Sequence, residues 1–299
     1  MGFTGTESVG VAGLGLIGGS VAKALRAYTG CRIFGADSSA GTLDAALSDG
    51  VLHGELAADT LPLCDWVFIA LYPNAAVGWA RSHAARVRKG TVVIDLCGVK
   101  RVVCEGIAPL AEEHGFTFIG GHPMAGVARF GYPNADKDMF RGASMILTPG
   151  APLDPELHEA LCALFGAMGF SCLKLTGPDE HDRMIAYTSQ LAHVLSSAYA
   201  QSPSAARHTG FSAGSLKDMT RVATLNVPMW AELFMENRDY LAEEVESLAS
   251  RLSGYAKALR ANDIDEVARL LQQGCDSKKQ MEEEEARYAN GGHPGIRTL

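Results

Sequence analysis

The stretch VAGLGLIGGSVAKAL, Val11 to Leu25, decides the fold. An apolar run beginning at Ser8 leads into it, and an amphipathic helical pattern leads out. Between them Gly13, Gly15 and Gly18 stand in G-x-G-x-x-G spacing. Three glycines alone are a weak signal; a strand before, a helix after and an acid farther on give it meaning. Gly13 permits the tight turn, Gly15 lets the backbone approach a pyrophosphate, and Gly18 lets helix and strand pack closely. Leu16, Ile17 and Gly18, read as cofactor-binding with Gly13 and Gly15, lead into a helix N-terminus whose free N–H groups have no partner inside the helix. They lie at the positive end of its dipole, where phosphate oxygens bind. The next strand, RIFGAD, ends in Asp37, about twenty residues on. A carboxylate there accepts hydrogen bonds from ribose 2′- and 3′-hydroxyls and repels a 2′-phosphate. The expected cofactor is therefore NAD rather than NADP. A glycine-rich turn without a ligand would leave the order of strand, loop, helix and acid unexplained.

Outward from this turn, short apolar runs alternate with amphipathic stretches as far as Leu175. SVGVAGLG, RIFGAD, WVFIAL, TVVIDL, FTFIGG, SMILTP and CLKL read as strands. Ser20–Tyr28, Ala40–Asp49, Asn74–Val87 and Arg101–His114 read as helices between them. Continuous apolar strands alternating with helices predict a doubly wound, mainly parallel sheet of Rossmann type, covered on both faces. After Thr176 the texture changes. Pro178 suits a first helical position, with Thr176 or Gly177 as cap and Asp179 and Glu180 complementing the dipole. Helical patterning then runs to about Glu285. The expected division is a dinucleotide-binding domain over 1–176, an all-helical domain over 177–285 and a polar, mobile tail over 286–299.

Composition narrows the partners. The 299 residues are 47% hydrophobic and 20% charged, with a net charge of −8 and no long block of Lys and Arg. Nucleic acid and anionic membrane are poor partners for such a chain. No apolar run reaches membrane-spanning length. The seven cysteines are scattered and contain no C-x-x-C, which argues for a reducing, cytoplasmic setting and against both a disulfide framework and structural zinc. No metal is expected.

A dinucleotide domain names no reaction by itself. The informative residues are polar ones at strand ends and on the helices that follow. DLCGVK, Asp95–Lys100, and GGHPMAG, with His122, both end strands on the sheet's ligand side. In HDRMIAYTSQLAHVLSSA, Ser189 and His193 share a helix face at i, i+4, as do Lys217 and Arg221 in SLKDMTRVA. Read singly, His122 is a turn histidine that packs or solvates, and His193 a satisfied helix histidine.

Taken together, GLGLIGGS, GGHPMAG, HDRMIAYTSQLAH, LKDMTR and PMWAELFMENR resemble the prephenate/arogenate dehydrogenases of tyrosine biosynthesis. The likeness runs from Val9 to about Gln273. It implies that the helical domain forms a homodimer interface, and that the chain carries out NAD-dependent oxidative decarboxylation of a small-molecule substrate, prephenate or arogenate. It implies that His122 is catalytic, accepting the hydrogen bond and proton of the ring hydroxyl, and that Arg221 clamps a substrate carboxylate. His193 then lines the substrate pocket, with Ser189 and Lys217 on the substrate side of the same two helix faces. His181 reads as structural, and Trp230 as packing at a domain or dimer interface. The regulatory appendage of some relatives is expected to be absent.

Two departures stand out. Relatives commonly read D-x-G-S-V-K, and their serine bonds the catalytic histidine; here Gly98 stands in its place, so a backbone carbonyl, water or Cys97 is expected to orient His122. Relatives often carry Thr-Glu after HPMAG, where Val127 and Ala128 stand here. Losing that acid leans toward prephenate over arogenate, whose ammonium it could meet. Two rival readings remain. A β-hydroxyacid dehydrogenase or imine reductase-like enzyme would use a lysine on the second domain's first helix, which this chain lacks. A non-catalytic dinucleotide-sensing protein is suggested by the missing serine.

Overall fold

The computed structural model describes residues 2–127, 129–290 and 296–298. In chain order the elements are β1 (Ser8–Ala12), α1 (Leu16–Tyr28), β2 (Arg32–Ala36), α2 (Ala40–Ser48), β3 (Gly54–Glu55), β4 (Trp66–Ile69), α3 (Pro73–His83), β5 (Val92–Asp95), α4 (Arg101–His114), β6 (Thr117–Pro123), β7 (Ser144–Pro149), α5 (Pro155–Ala167) and β8 (Cys172–Leu175). The helices α6 (Pro178–Ile185), α7 (Leu191–Ala200), α8 (Gly214–Thr220), α9 (Val227–Glu236), α10 (Arg238–Arg260) and α11 (Ile264–Asn290) follow, and then β9 (Arg297–Thr298). The strands form one sheet in the order β3-β2-β1-β4-β5-β6-β7-β8-β9.

Every neighbouring pair is parallel except β6 and β7. The reason is the connection. A parallel return needs a crossover, usually a helix, and among the described residues between Pro123 and Ser144 the one helical element is a short 3₁₀ turn at Tyr132–Asn134. The seven strands read from sequence are all present. β3 and β9, two residues each at opposite edges, are too short to carry a periodic signal.

Strand β4, WVFI, shows why the runs are continuously apolar. Successive side chains alternate between faces. Trp66 and Phe68 join the core beneath α1 and α5, while Val67 and Ile69 join the core beneath α3 and α4. All four are fully buried, each worth roughly 1.5–3 kcal/mol of apolar transfer.

Two expectations change. α1 begins at Leu16, one turn before Ser20, because the glycines of the turn are taken into its first turn. Residues 286–290, expected in a mobile tail, extend α11 instead, and Arg297–Thr298 pair with Cys172–Leu173. EEEEARYAN is polar, yet Glu, Ala and Arg are strong helix formers, so a polar composition there continues the helix. The glycine-rich stretch between these elements, 291–295, and residue 299 lie outside the described residues. Among the described residues no helix is long and apolar enough to cross a membrane, and no group of three or more His, Cys, Asp or Glu is placed to hold a metal ion.

Candidate active site

The glycine turn is built by steric necessity. Gly13 has φ +89°, and a Cβ on it would lie 2.4 Å from the Ala70 carbonyl oxygen. A Cβ on Gly18 would lie 1.9 Å from the Gly13 oxygen. Gly15 differs: nothing lies within 4 Å of its Cβ position. Space is open above it, as a cradle for a ligand requires. Gly15 is also the N-cap of α1, offers no side-chain cap, and is followed by no acid in the first turn. The N–H groups of Leu16, Ile17 and Gly18 thus face that space with a positive dipole behind them. Asp37 sits at the end of β2, its two carboxylate oxygens accepting from Leu14 N at 2.8 Å and Ser39 N at 2.9 Å. Each oxygen keeps a further lone pair for a ribose hydroxyl. The residues fit a dinucleotide.

From Gly13 a short path leads to His122. Gly13 abuts Ala70 and Leu71, and Cys97 Sγ donates to the Leu71 carbonyl at 3.2 Å. A Cβ at Gly98 would touch Leu233 at 3.4 Å and lie 3.9 Å from His122 Nε2. His122 reaches this place because Gly120 and Gly121 let β6 pass close to its neighbours: a Cβ on Gly121 would lie 2.5 Å from the Asp95 oxygen, and one on Gly120 2.2 Å from Thr148 Oγ1.

Behind the imidazole stands a chain of buried polar groups. His122 Nδ1 lies 2.9 Å from His181 Nε2, and His181 Nδ1 lies 2.7 Å from Asp182 Oδ1. Asp182 also accepts from Lys100 N at 2.7 Å and Arg101 N at 2.9 Å. Lys100 Nζ donates to the Gly121 carbonyl at 2.6 Å and pairs with Asp95, both side chains fully buried. Stranding either charge would cost about 3–5 kcal/mol. Burial opposes ionisation of Asp182, but the hydrogen bonds from His181, Arg101 N and Lys100 N hold its carboxyl below the usual range. Burial lowers both imidazoles; for His122 the neighbouring His181 and the Lys100 charge push further down.

The helical wall faces this cluster. α6 and α7 are one helix interrupted by a π-turn at Ala186–Gln190, a local widening often found at functional sites. Gln190 Nε2 donates to the Leu233 carbonyl at 3.1 Å, and Asn237 Nδ2 donates to Gln190 Oε1 at 2.7 Å and to the Asp182 carbonyl at 2.8 Å. On the next turn His193 Nδ1 donates to the Ser189 carbonyl at 2.8 Å, and its ring packs on Trp230 with centroids 3.8 Å apart. Burial lowers His193, and the charge of Arg221, beside it at the end of α8, lowers it further. Asn74, in the first turn of α3, ties α9 to that helix, its N–H donating to Glu232 at 2.8 Å.

The structure thus groups His193, Ser189, Trp230 and Arg221 on the helical side, with His122 on the sheet side. Lys217 lines a groove of about 570 Å³ with Tyr199, His208 and Ser212. Cys97 does not orient His122; its thiol is engaged by Leu71. The His122 ring bonds His181 instead, and His181 in turn bonds Asp182; the sequence pattern marks His181 as structural and gives Asp182 no place. The available signal was an adjacent His-Asp pair opening the first helix after β8, at the sheet's carboxyl edge. Ala128 lies outside the described residues.

Two family models match the chain: the nucleotide-binding domain of prephenate dehydrogenase over residues 21–171, and its dimerization domain over residues 177–273. A curated prephenate dehydrogenase of Bacillus subtilis is 25% identical over 279 residues, spanning 90% of this chain and 75% of that protein. The solved arogenate dehydrogenase of Synechocystis superposes with a TM-score of 0.77 at 24% identity, over 92% of this chain and 99% of its own. Prephenate dehydrogenase from A. aeolicus, solved with hydroxyphenyl propionate and NAD+, gives 0.80 at 21% identity, over 92% and 98%. Matched across both its nucleotide-binding and its helical part, the chain belongs to the prephenate dehydrogenase family.

Proposed function

We propose that the protein oxidatively decarboxylates prephenate to 4-hydroxyphenylpyruvate, with NAD as the oxidant. The observation that carries this reading is His122 Nε2, neutral and without a protein partner among the described residues, at the edge of the sheet that also carries the glycine turn. When bound there, NAD supplies the hydride acceptor. His122 Nε2 accepts the hydrogen bond of the ring hydroxyl and takes its proton as the carbonyl forms, a contribution of about 10²–10⁴-fold for a placed base. Arg221 holds a substrate carboxylate through its planar fork, and His193, braced by Trp230 and Ser189, presents its Nε2 to the same pocket. Loss of CO₂ then completes an aromatic ring, which makes the reaction strongly downhill.

Prephenate rather than arogenate is the substrate in this proposal, because Val127 and Ala128 supply no acid for arogenate's ammonium. Asp37 favours NAD over NADP. The proposal divides the chain near residue 176 and makes it a homodimer through the helical part. Support comes from the matched dimerization model and from apolar side chains left bare on one subunit, among them Phe211 at 92%, Ile264 at 79% and Leu259 at 65% exposure. The cytoplasm, with its reducing pool, is the proposed location. The test is a paired assay of purified protein with prephenate and arogenate, each with NAD and NADP. Reduced nicotinamide and 4-hydroxyphenylpyruvate in equal amounts, fastest with prephenate and NAD, is the expected result. Turnover of neither substrate despite tight NAD binding would replace the enzyme with a dinucleotide sensor.

A further inference from the structure

We propose that His181 and Asp182 are positioning residues that fix the tautomer of His122, setting its Nε2 lone pair toward the substrate hydroxyl in a chain whose Gly98 offers no hydroxyl for that purpose.

The argument is one of counting protons along the buried chain. Asp182 accepts backbone N–H bonds from Lys100 and Arg101 and is held in its ionised form. An ionised carboxylate is acceptor only, so the bond of 2.7 Å to His181 must be donated by His181 Nδ1–H. His181, buried and lowered below its ordinary pKa, is neutral and carries that single proton. Its Nε2 is therefore a lone pair. The atom 2.9 Å away, His122 Nδ1, must then carry the proton of a neutral His122. Nε2 of His122 is left as the lone pair, beside Gly98, where a Cβ would find only Leu233 and that nitrogen. When the hydroxyl proton arrives at Nε2, the imidazolium keeps its Nδ1–H bond to His181, and the Asp182 charge lies one ring away. The proton leaves later to solvent, and no bond along the relay needs to break.

The relay rests on the proposed function for its catalytic meaning, but its tautomer can be read without turnover. Two variants separate positioning from packing. His181→Asn can still donate to Asp182 from the place of Nδ1 but has no atom where Nε2 stood. His181→Gln reaches the Nε2 place with an acceptor and gives up the Asp182 bond. Protein labelled with ¹⁵N-histidine, with His122 signals assigned by their loss in His122→Gln, should show Nδ1 protonated and Nε2 bare in the wild type at neutral pH. His181→Asn should move the proton to Nε2 and lower kcat for prephenate by at least about tenfold, as a wrong tautomer does, with KM little changed. His181→Gln should keep the wild-type tautomer and most of kcat. A wild-type His122 protonated on Nε2, or an Asn variant matching wild type in spectrum and kcat, would overturn the relay. Predicted spectra with no turnover of prephenate by wild type would instead sink the functional proposal and leave the relay standing.

Discussion

Gly13 to Gly18 build the proposed nucleotide side from one unbroken stretch, whereas His122 is held by groups from two other segments, with His181 lying 59 residues away. The turn depends on what is missing: Cβ atoms at Gly13 and Gly18 would strike backbone oxygen at 2.4 and 1.9 Å. The imidazole depends on what is present: one acceptor, one carboxylate and one buried lysine, placed by α6 and by the segment after β5. A site made by the backbone tolerates changes in its surroundings. A site made by side chains fails when any link is cut.

The comparison breaks most clearly at His122. His122→Ala should lower turnover by about 10²–10⁴-fold while NAD affinity, set by the turn, changes little; equal losses in both would mean the histidine merely packs. On the helical side, Arg221→Ala should raise the KM for prephenate by roughly 10–100-fold, the worth of a charge-assisted pair, and an unchanged KM would remove the clamp. The turn is sharpened by two alanines. Gly18→Ala, driven into backbone, should destabilise the protein by roughly 1–3 kcal/mol in a denaturant titration. Gly15→Ala should leave stability nearly unchanged and weaken NAD binding, since only a ligand occupies that space.

Acid separates the two regions without mutation. His122 and His181 are held below their unfolded-state pKa of about 6.5. Below that pH the unfolded chain binds protons the folded cluster refuses, so stability is full above it and falls as pH drops toward the folded values. The slope reaches at most about 1.4 kcal/mol per pH unit for each imidazole, and melting followed between pH 7 and 5 should show it. The smallest effect is expected at Gly98→Ser. A Cβ there makes ordinary contacts, so stability in a denaturant titration should be nearly unchanged, and a loss of more than about 1 kcal/mol would mean that Gly98 is sterically required.

The sequence made the sheet legible because WVFI, TVVI and their neighbours are buried on both faces and carry no polar interruption. It made the turn legible because the glycines, the strand and Asp37 are contiguous. β9 escaped because two residues have no period, and residues 286–290 escaped because solvated helix and loop share a polar composition. The proposed roles of His122 and Arg221 come from a resemblance of motifs. The His181 relay was hidden because an imidazole in a helix's first turn looks the same whether it caps, packs or holds another ring; only the register of α6 against β6 decides.

The most direct measurement is a crystal structure of the protein with NAD and a prephenate-like inhibitor bearing the ring hydroxyl. His122 Nε2 should stand about 2.6–3.2 Å from that hydroxyl oxygen, with Arg221 on a carboxylate and the nicotinamide against the same ring. A hydroxyl turned away from His122 toward solvent or another side chain would contradict the account.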